Sequence, residues 1–297
     1  MSTPPTRPFL TCPLALSSQH DQLPMIDYVY TKAMIELLTS FRDVFAWSYK
    51  DMRGLDPQLY QHQIHLNTNT KPVARRRYRM NPNYAAKVKE EIDKLPRVGF
   101  IRPVKQATSL NPIVVVPKKN GKIRVCVDYR KLNVATITDA FPLPFTDGVL
   151  YAVAGYKVYS FLDGFSGYNQ IRMHPADQEK TAFVTEWGVF VVVVMMFGQK
   201  TAPTMFQRII MEIFGEYIPT FMQAFLDDFA VYRRQNEQLD KCVFRVTSGN
   251  LLGHIVSKDG IVVEPNKVRE ILEAPAPNNA KALSQFLGQI QWHSEML

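Results

Sequence analysis

Cysteine is scarce in this 297-residue chain. Cys12, Cys126 and Cys242 are its complement, an odd number with no Cys-x-x-Cys pair. Neither a disulfide framework nor a zinc knuckle is encoded, and a reducing, intracellular compartment is expected. Long apolar runs are missing too. The longest, Val189 to Phe197, falls far short of the ~20 residues needed to cross a bilayer and reads as a buried strand. Pro4, Pro5, Pro8 and Pro13 interrupt the first 18 residues, so no signal peptide is expected, and no membrane association. No internal repeat is present.

What remains is ordinary globular composition, 46% hydrophobic and 21% charged, in a chain long enough for one large or two modest domains. The +8 net charge is unevenly placed. Residues 71–131 hold 17 Lys and Arg against 4 Asp and Glu, a local balance of +13 that leaves 8 − 13 = −5 elsewhere. Clustered positive charge suits a phosphate backbone, whose condensed counterions it releases. A solvated basic face accounts for the same count.

The first 24 residues are rich in Pro, Ser and Thr and are expected to be disordered. Met34, Leu37, Leu38, Phe41 and Phe45 lie at helical spacing within Tyr30–Trp47. A second helix is expected from Pro82 to Leu95, with Asn81 as N-cap and Pro82 at the first helical position. Asn111–Pro117 and Ile123–Tyr129 read as strands joined by a basic turn, Lys118–Lys122. Further strands are expected over Tyr156–Asp163, Thr181–Thr185 and Gly188–Met196, then a helix from Ala202 or Pro203 to Phe214. Phe221–Tyr232 reads as two apolar half-strands hinged on Asp227-Asp228, and Leu251–Val263 as a hairpin turning at Lys258-Asp259-Gly260. Beyond Pro265, helical patches alternate with Pro275 and Pro277.

An adjacent Asp pair is by itself a common turn. Here apolar residues flank Asp227-Asp228 on both sides, so its carboxylates would sit at the mouth of a core, where mutual repulsion calls for cations. Asp163 ends another apolar strand 64 residues earlier, and adjacent antiparallel strands would unite the three. Such hard oxygen ligands select Mg²⁺ or Mn²⁺. Two ions bridged by carboxylates suit in-line displacement at phosphorus, so phosphoryl or nucleotidyl transfer on nucleic acid is the expected chemistry. His62 and His65 could be read as a metal pair, but on a strand they point to opposite faces. Arg75–Arg79 would touch template phosphates or form a solvated loop.

In order along the chain, Leu-Asp-Gly-Phe-Ser-Gly-Tyr-Asn-Gln-Ile (162–171), Phe-Gly-Gln-Lys-Thr-Ala-Pro-Thr-Met-Phe-Gln (197–207), Phe-Leu-Asp-Asp (225–228) and Leu-Gly-His-Ile-Val-Ser-Lys-Asp-Gly-Ile (252–261) resemble successive reverse-transcriptase motifs of gypsy-type LTR retrotransposons. Residues 118–133 resemble that family's nucleotide-binding fingers strand. The resemblance runs from about residue 60 to the end and implies an RNA-directed DNA polymerase taking dNTPs, a primer and an RNA or DNA template, with two Mg²⁺ or Mn²⁺ ions. By the same resemblance Asp163, Asp227 and Asp228 hold the metals. Lys118, Lys119 and Arg124 contact the triphosphate, which the backbone of 164–167 also cradles. Tyr168 blocks a ribose 2′-OH; otherwise it is a core aromatic. Gly198, Gln199 and Pro203 pack on template and nucleotide, and Gly253 and His254 grip the primer end.

The implied fold is α+β, a right-hand polymerase with an antiparallel palm sheet flanked by helices. Its divisions would be a disordered segment (1–24), a helical extension (25–59), fingers (60–155), palm with primer-grip hairpin (156–264) and a partial thumb (265–297). Departures are visible. Only 13 positions separate Asp228 from Lys241, where the family places a long helix and a further strand, so a block is expected to be missing near 236–241 and one palm face to lie bare. Met196, Gln199-Lys200-Thr201 and Phe225 replace residues usual in their motifs. No segment matches a protease, RNase H or integrase. The competing expectation is a degenerate, inactive retrotransposon fragment that still binds nucleic acid, and a domesticated interaction protein is a third.

Overall fold

The computed structural model describes residues 36, 39–40, 46, 48–52, 54–67, 82–107, 109–117, 123–233 and 246–294. Several expectations lie outside them: the first 24 residues, most of the Tyr30–Trp47 helix, Asn81, the arginines of 75–79, Lys118–Lys122 and the shortening after Asn236. Among the described residues no helix is long and apolar enough to cross a membrane.

In chain order the strands are β1 (Gln61–His62), β2 (Ile101–Val104), β3 (Asn111–Pro117), β4 (Ile123–Val127), β5 (Val158–Asp163), β6 (Arg172–Met173), β7 (Phe183–Val184), β8 (Val189–Val192), β9 (Met222–Phe225), β10 (Asp228–Arg233), β11 (Ser248–Leu251), β12 (His254–Ser257) and β13 (Gly260–Val263). The helices are α1 (Pro82–Arg97), α2 (Arg130–Ala135), α3 (Thr146–Val153), α4 (Ala202–Phe214), α5 (Pro265–Leu272) and α6 (Ala280–Ser294). Leaving aside the N-terminal residues, they form two compact units whose segments alternate along the chain, 43–142 with 164–213 and 143–163 with 214–297.

The first unit holds a five-stranded sheet, β2-β8-β7-β3-β4, antiparallel except where β3 pairs parallel with β7. Helix α1 buries Val88 and Ile92, one turn apart, and gives way to Gly99 at φ +78°, where the Phe100 amide bonds back to the Leu95 carbonyl. Glycine carries that left-handed C-terminal residue without Cβ strain. Helix α4 buries Ala202, Phe206, Ile209 and Ile210, the i, i+4, i+7, i+8 stripe of a helix with one core face.

The second unit is built on an antiparallel sheet, β5-β10-β9, and an antiparallel meander, β11-β12-β13. Val246 extends the first sheet by bridging to Tyr159. Because strand side chains alternate, the register puts Tyr159, Ala230 and Tyr232 on one face and Ser160, Phe229, Met222 and Ala224 on the other. All seven are buried. The bare face expected from the shortened connection is therefore not what the described residues show. On the first face α3 and the meander supply the cover, through Val149, Leu150, Val153, Leu251 and Val256.

Candidate active site

Strand β5 ends at Asp163 and β10 begins at Asp228, and the ladder sets these two residues directly opposite one another. Opposed residues of an antiparallel pair hold their Cβ atoms about 4.5–5.5 Å apart on the same face. Asp228 also pairs with Phe225, so Leu226 and Asp227 form the tip of the β9–β10 hairpin. Leu226 has φ +52°, a left-handed conformation that costs a branched residue about 1–3 kcal/mol. The buried Ala224 and Phe229 on either side fix the strands and hold the tip in that state.

Three carboxylates so close cannot all ionise freely. Burial, then Asp163, then Asp228 push the Asp227 carboxyl up from 3.8 to about 7. Asp228 is raised by burial and by Asp163, and Asp163 by burial, although both keep one side open to solvent. One oxygen of Asp227, Oδ1, is buried without a hydrogen-bond partner, which is costly for a carboxylate unless a cation meets it. Hard, crowded, partly desolvated oxygens fit Mg²⁺ or Mn²⁺. Among the described residues no three acidic, His or Cys side chains already converge as a closed ligand cage. The backbone register brings the three aspartates together.

Of the residues assigned to the nucleotide, Lys118 and Lys119 lie outside the described residues and Arg124 stands exposed on β4, opposite Val116. Tyr168 lies in the core, the second of its two readings. Its ring is only 4% exposed, tilted at 40° against Phe197 with centroids 4.4 Å apart and edge-on to Phe206 at 5.1 Å, and the exposed ring is Phe197, at 60%. Gly198 is exposed at φ +94° and its carbonyl accepts from Asn133 Nδ2 at 2.8 Å, while Asn133 Oδ1 accepts from the Lys200 amide at 2.9 Å. Gln199 turns inward, 4% exposed with its amide nitrogen 3.9 Å from Met173 Sδ. Its side chain is therefore not an outward contact, because the loop directs Phe197 and Gly198 outward instead. His62 is buried and His65 exposed, opposite faces as the pattern requires.

In the β11–β12 turn, Leu252 and Gly253 both have positive φ, +51° and +79°, and the Gly253 amide donates to Asn250 Oδ1 at 3.1 Å. The His254 ring is 2% exposed, with Nδ1 3.2 Å from the Leu252 carbonyl. The imidazole expected at a primer end is thus internal, and the turn backbone is what this hairpin offers.

Residues 116–290 match the family profile described as reverse transcriptase (RNA-dependent DNA polymerase). The chain belongs to the reverse transcriptase family. It is 34% identical over 258 residues to the retrovirus-related Pol polyprotein from transposon opus of Drosophila melanogaster, covering 78% of this chain and 26% of that one. The polyprotein from transposon 297 of the same fly is 30% identical over 287 residues, 88% of this chain and 27% of that one. The Tf2-3 polyprotein of Schizosaccharomyces pombe is 26% identical over 277 residues, 86% and 21%. This reverse transcriptase family member thus spans about a quarter of the length of those relatives. Among solved structures, a foamy viral protease-reverse transcriptase in complex with RNA/DNA hybrid superposes with a TM-score of 0.71 at 19% identity, over 90% of this chain and 38% of that one. The foamy viral protease-reverse transcriptase dRH in complex with double-stranded DNA gives 0.71 at 18%, over 90% and 50%. The fold is the right-hand polymerase fold, α+β with an antiparallel sheet carrying the aspartates.

Within this reverse transcriptase fold, three residues went unassigned by sequence reasoning. Phe197 opens a motif that had drawn attention to Gly198 and Gln199, and its solvent exposure has no sequence signal. Asn133 closes the fingers motif, and its two bonds to the 198–200 loop span more than 60 positions. Leu226 sits between two residues of evident interest, and its strain appears only in the backbone angle.

Proposed function

We propose that this chain is the polymerase portion of a gypsy-type LTR retrotransposon Pol polyprotein, an RNA-directed DNA polymerase that adds dNTPs to a primer. The observation that carries the reading is the register: Asp163 opposite Asp228, with Asp227 at the adjoining turn. Asp163, Asp227 and Asp228 would hold two Mg²⁺ ions, with Mn²⁺ as a substitute. When bound, such ions activate the primer 3′-hydroxyl and stabilise the departing pyrophosphate. Burial and the neighbouring Asp163 and Asp228 push Asp227 up to about 7, and its carboxyl must be deprotonated to serve as a ligand. Lys118, Lys119 and Arg124 would neutralise the triphosphate. Tyr168 would form the inner, and Phe197 the outer, ring of the sugar wall. The Gly253 turn, next to the buried His254, would face the primer end.

The division into fingers (60–155), palm (156–264) and partial thumb (265–297) belongs to this proposal. So does the nucleic-acid partner, an RNA or DNA template with its primer, which the RNA/DNA-hybrid complex of the foamy viral enzyme supports. Primer extension with Mg²⁺ tests the reading. Incorporation that disappears in Asp227→Asn is expected; incorporation that survives refutes the metal assignment. The 13-position gap after Asp228 favours one alternative, a degenerate fragment. That reading predicts salt-sensitive, sequence-indifferent nucleic-acid binding with no incorporation by the unaltered chain.

A further inference from the structure

Tyr49 and residues 54–64 precede the stretch matched by the family profile, and they lie along the motif that carries Tyr168. The Tyr49 ring is tilted on the Phe165 ring with centroids 5.5 Å apart. The Leu55 amide donates to the Gln170 carbonyl at 2.8 Å. Further along, β1 pairs in parallel with β6, which sets Gln61 beside Arg172 and His62 beside Met173. The far end is clamped at one residue. The Ile64 amide donates to Asp177 Oδ2 at 2.9 Å, its carbonyl accepts from Lys180 Nζ at 2.7 Å, and Lys180 pairs with Asp177. Leu55, His62 and Ile64 are buried.

The closest approach is at Gly54. Its φ is +71°, and a Cβ there would meet the Gln170 carbonyl oxygen at 3.0 Å, so that oxygen would have to give by a few tenths of an ångström. Gln170 ends the short turn Gly167–Gln170, to which Tyr168 belongs. Within it the Asn169 amide donates to the Ser166 carbonyl at 2.8 Å, the Ile171 amide to the Tyr168 carbonyl at 3.2 Å, and Gln170 Nε2 to the Phe165 carbonyl at 3.1 Å. Ser166, just before the turn, has φ +49°, and such a backbone persists only where its surroundings over-determine it. The Gly54–Leu55 backbone supplies one of those surroundings. Tyr168 in turn backs the exposed Phe197, so a shift of the turn is a shift of both rings. We propose that Gly54 and Leu55 set the sugar selectivity of nucleotide addition, by fixing the turn that carries Tyr168 and, through it, Phe197. This rests on the polymerase reading for the sugar wall, and on the approach of Gly54 to Gln170 for the coupling. Gly54 and Leu55 are positioning residues: they act on the nucleotide only through the turn.

The experiment is single-nucleotide primer extension by the full chain with a dNTP and with the matching rNTP, comparing kcat/KM for the two sugars. Gly54→Ala adds the methyl that meets Gln170. Gly155→Ala is the control: Gly155 has φ +84° and open space where a Cβ would stand, so alanine there brings the same class of backbone strain without the contact. Misplacing a positioned group by about 1 Å costs about 10²-fold, so a shift of a few tenths should lower the dNTP preference of Gly54→Ala about four- to ten-fold. Gly155→Ala should keep the unaltered ratio, as any merely destabilising change would. Tyr49→Ala, which strips an exposed ring from Phe165 and leaves the backbone alone, is the second variant should Gly54→Ala not fold, and its preference should fall in the same direction. Hydrogen exchange on the nucleotide-free chain reads the coupling without activity: the Asn169 and Ile171 amides should exchange faster in Gly54→Ala and at the unaltered rate in Gly155→Ala. An unchanged dNTP preference in Gly54→Ala, or in Tyr49→Ala where that variant stands in, overturns the proposal while the polymerase reading stands. So does an equal fall in Gly155→Ala. An unaltered chain that incorporates neither sugar overturns the polymerase reading and the selectivity with it, and faster exchange in Gly54→Ala would then leave only the mechanical coupling of Gly54 to the turn.

Discussion

Replacing Asp227 with Asn should stabilise the metal-free protein, and only at high pH. The folded state holds the Asp227 proton up to about pH 7, whereas the unfolded chain releases it near 3.8. Between those values the folded state binds more protons, so stability falls as pH rises. The full shift is about three tenfold steps, or about 4 kcal/mol at 1.36 kcal/mol per step; solvent at the turn screens about half of a surface-adjacent interaction, which leaves about 2 kcal/mol. His62 tilts the unaltered profile the other way. Burial lowers it from 6.5 to about 4, so the unfolded state binds the extra proton and stability rises with pH across that window. The two slopes oppose each other between pH 4 and 6.5, and the difference between variant and unaltered chain is what isolates Asp227. Urea denaturation with chelator present, at pH 4.5 and pH 8, is the assay. Asp227→Asn should gain about 2 kcal/mol over the unaltered chain on going from the lower pH to the higher. Added Mg²⁺ at ten times its dissociation constant should return about 1.4 kcal/mol to the unaltered chain alone. A difference between the two proteins that is the same at both pH values would refute the reasoning.

Three other perturbations follow from the packing. A Cβ at position 249 would lie 2.2 Å from the Phe161 ring, so Gly249→Ala should cost about 1–3 kcal/mol by thermal melting, and Phe161→Leu in the same chain should recover part of it. Leu226→Gly removes the positive-φ strain of the hairpin tip and, after the entropy cost of glycine, should stabilise by about 1 kcal/mol in chemical denaturation; a loss would show that Leu226 packing outweighs its backbone strain. Asn133→Ala deletes both bonds to the 198–200 loop and should destabilise by about 1–3 kcal/mol, with faster amide exchange at Lys200 as the local readout.

Legibility followed physical locality. Strand β3 was readable to both its ends because a run of Val bounded by Pro and a basic turn is a local signal. Helix α4 was readable from its apolar spacing. The union of Asp163 with Asp228 was readable as soon as both were seen to terminate apolar strands, and the register bears it out. The strand expected over Thr181–Thr185 shrank to Phe183–Val184 because Pro175–Thr181 winds into a 3₁₀ helix, with the Thr181 hydroxyl accepted by the Gln178 carbonyl. Strand β11 was missed altogether: Ser248-Gly249-Asn250-Leu251 has almost no strand propensity and is recruited by its pairing with β12 and the room Gly249 leaves for Phe161. The inward turn of Gln199 and His254 was equally invisible, since burial of a side chain is decided by neighbours distant in sequence.

The chain passes between its two compact units at Pro142–Leu143, Asp163–Gly164 and Ile213–Phe214. The second of those passages separates a metal-ligand candidate from the glycine of its own motif. No single linear cut releases either unit whole: a fragment ending at 163 lacks the strand that pairs with β5, and one beginning at 164 lacks β5 itself. Isolating the aspartate-bearing sheet would require joining 143–163 to 214–297 by a designed linker. A premature stop anywhere before Asp228 therefore removes the opposed carboxylate pair completely, whatever length of protein remains.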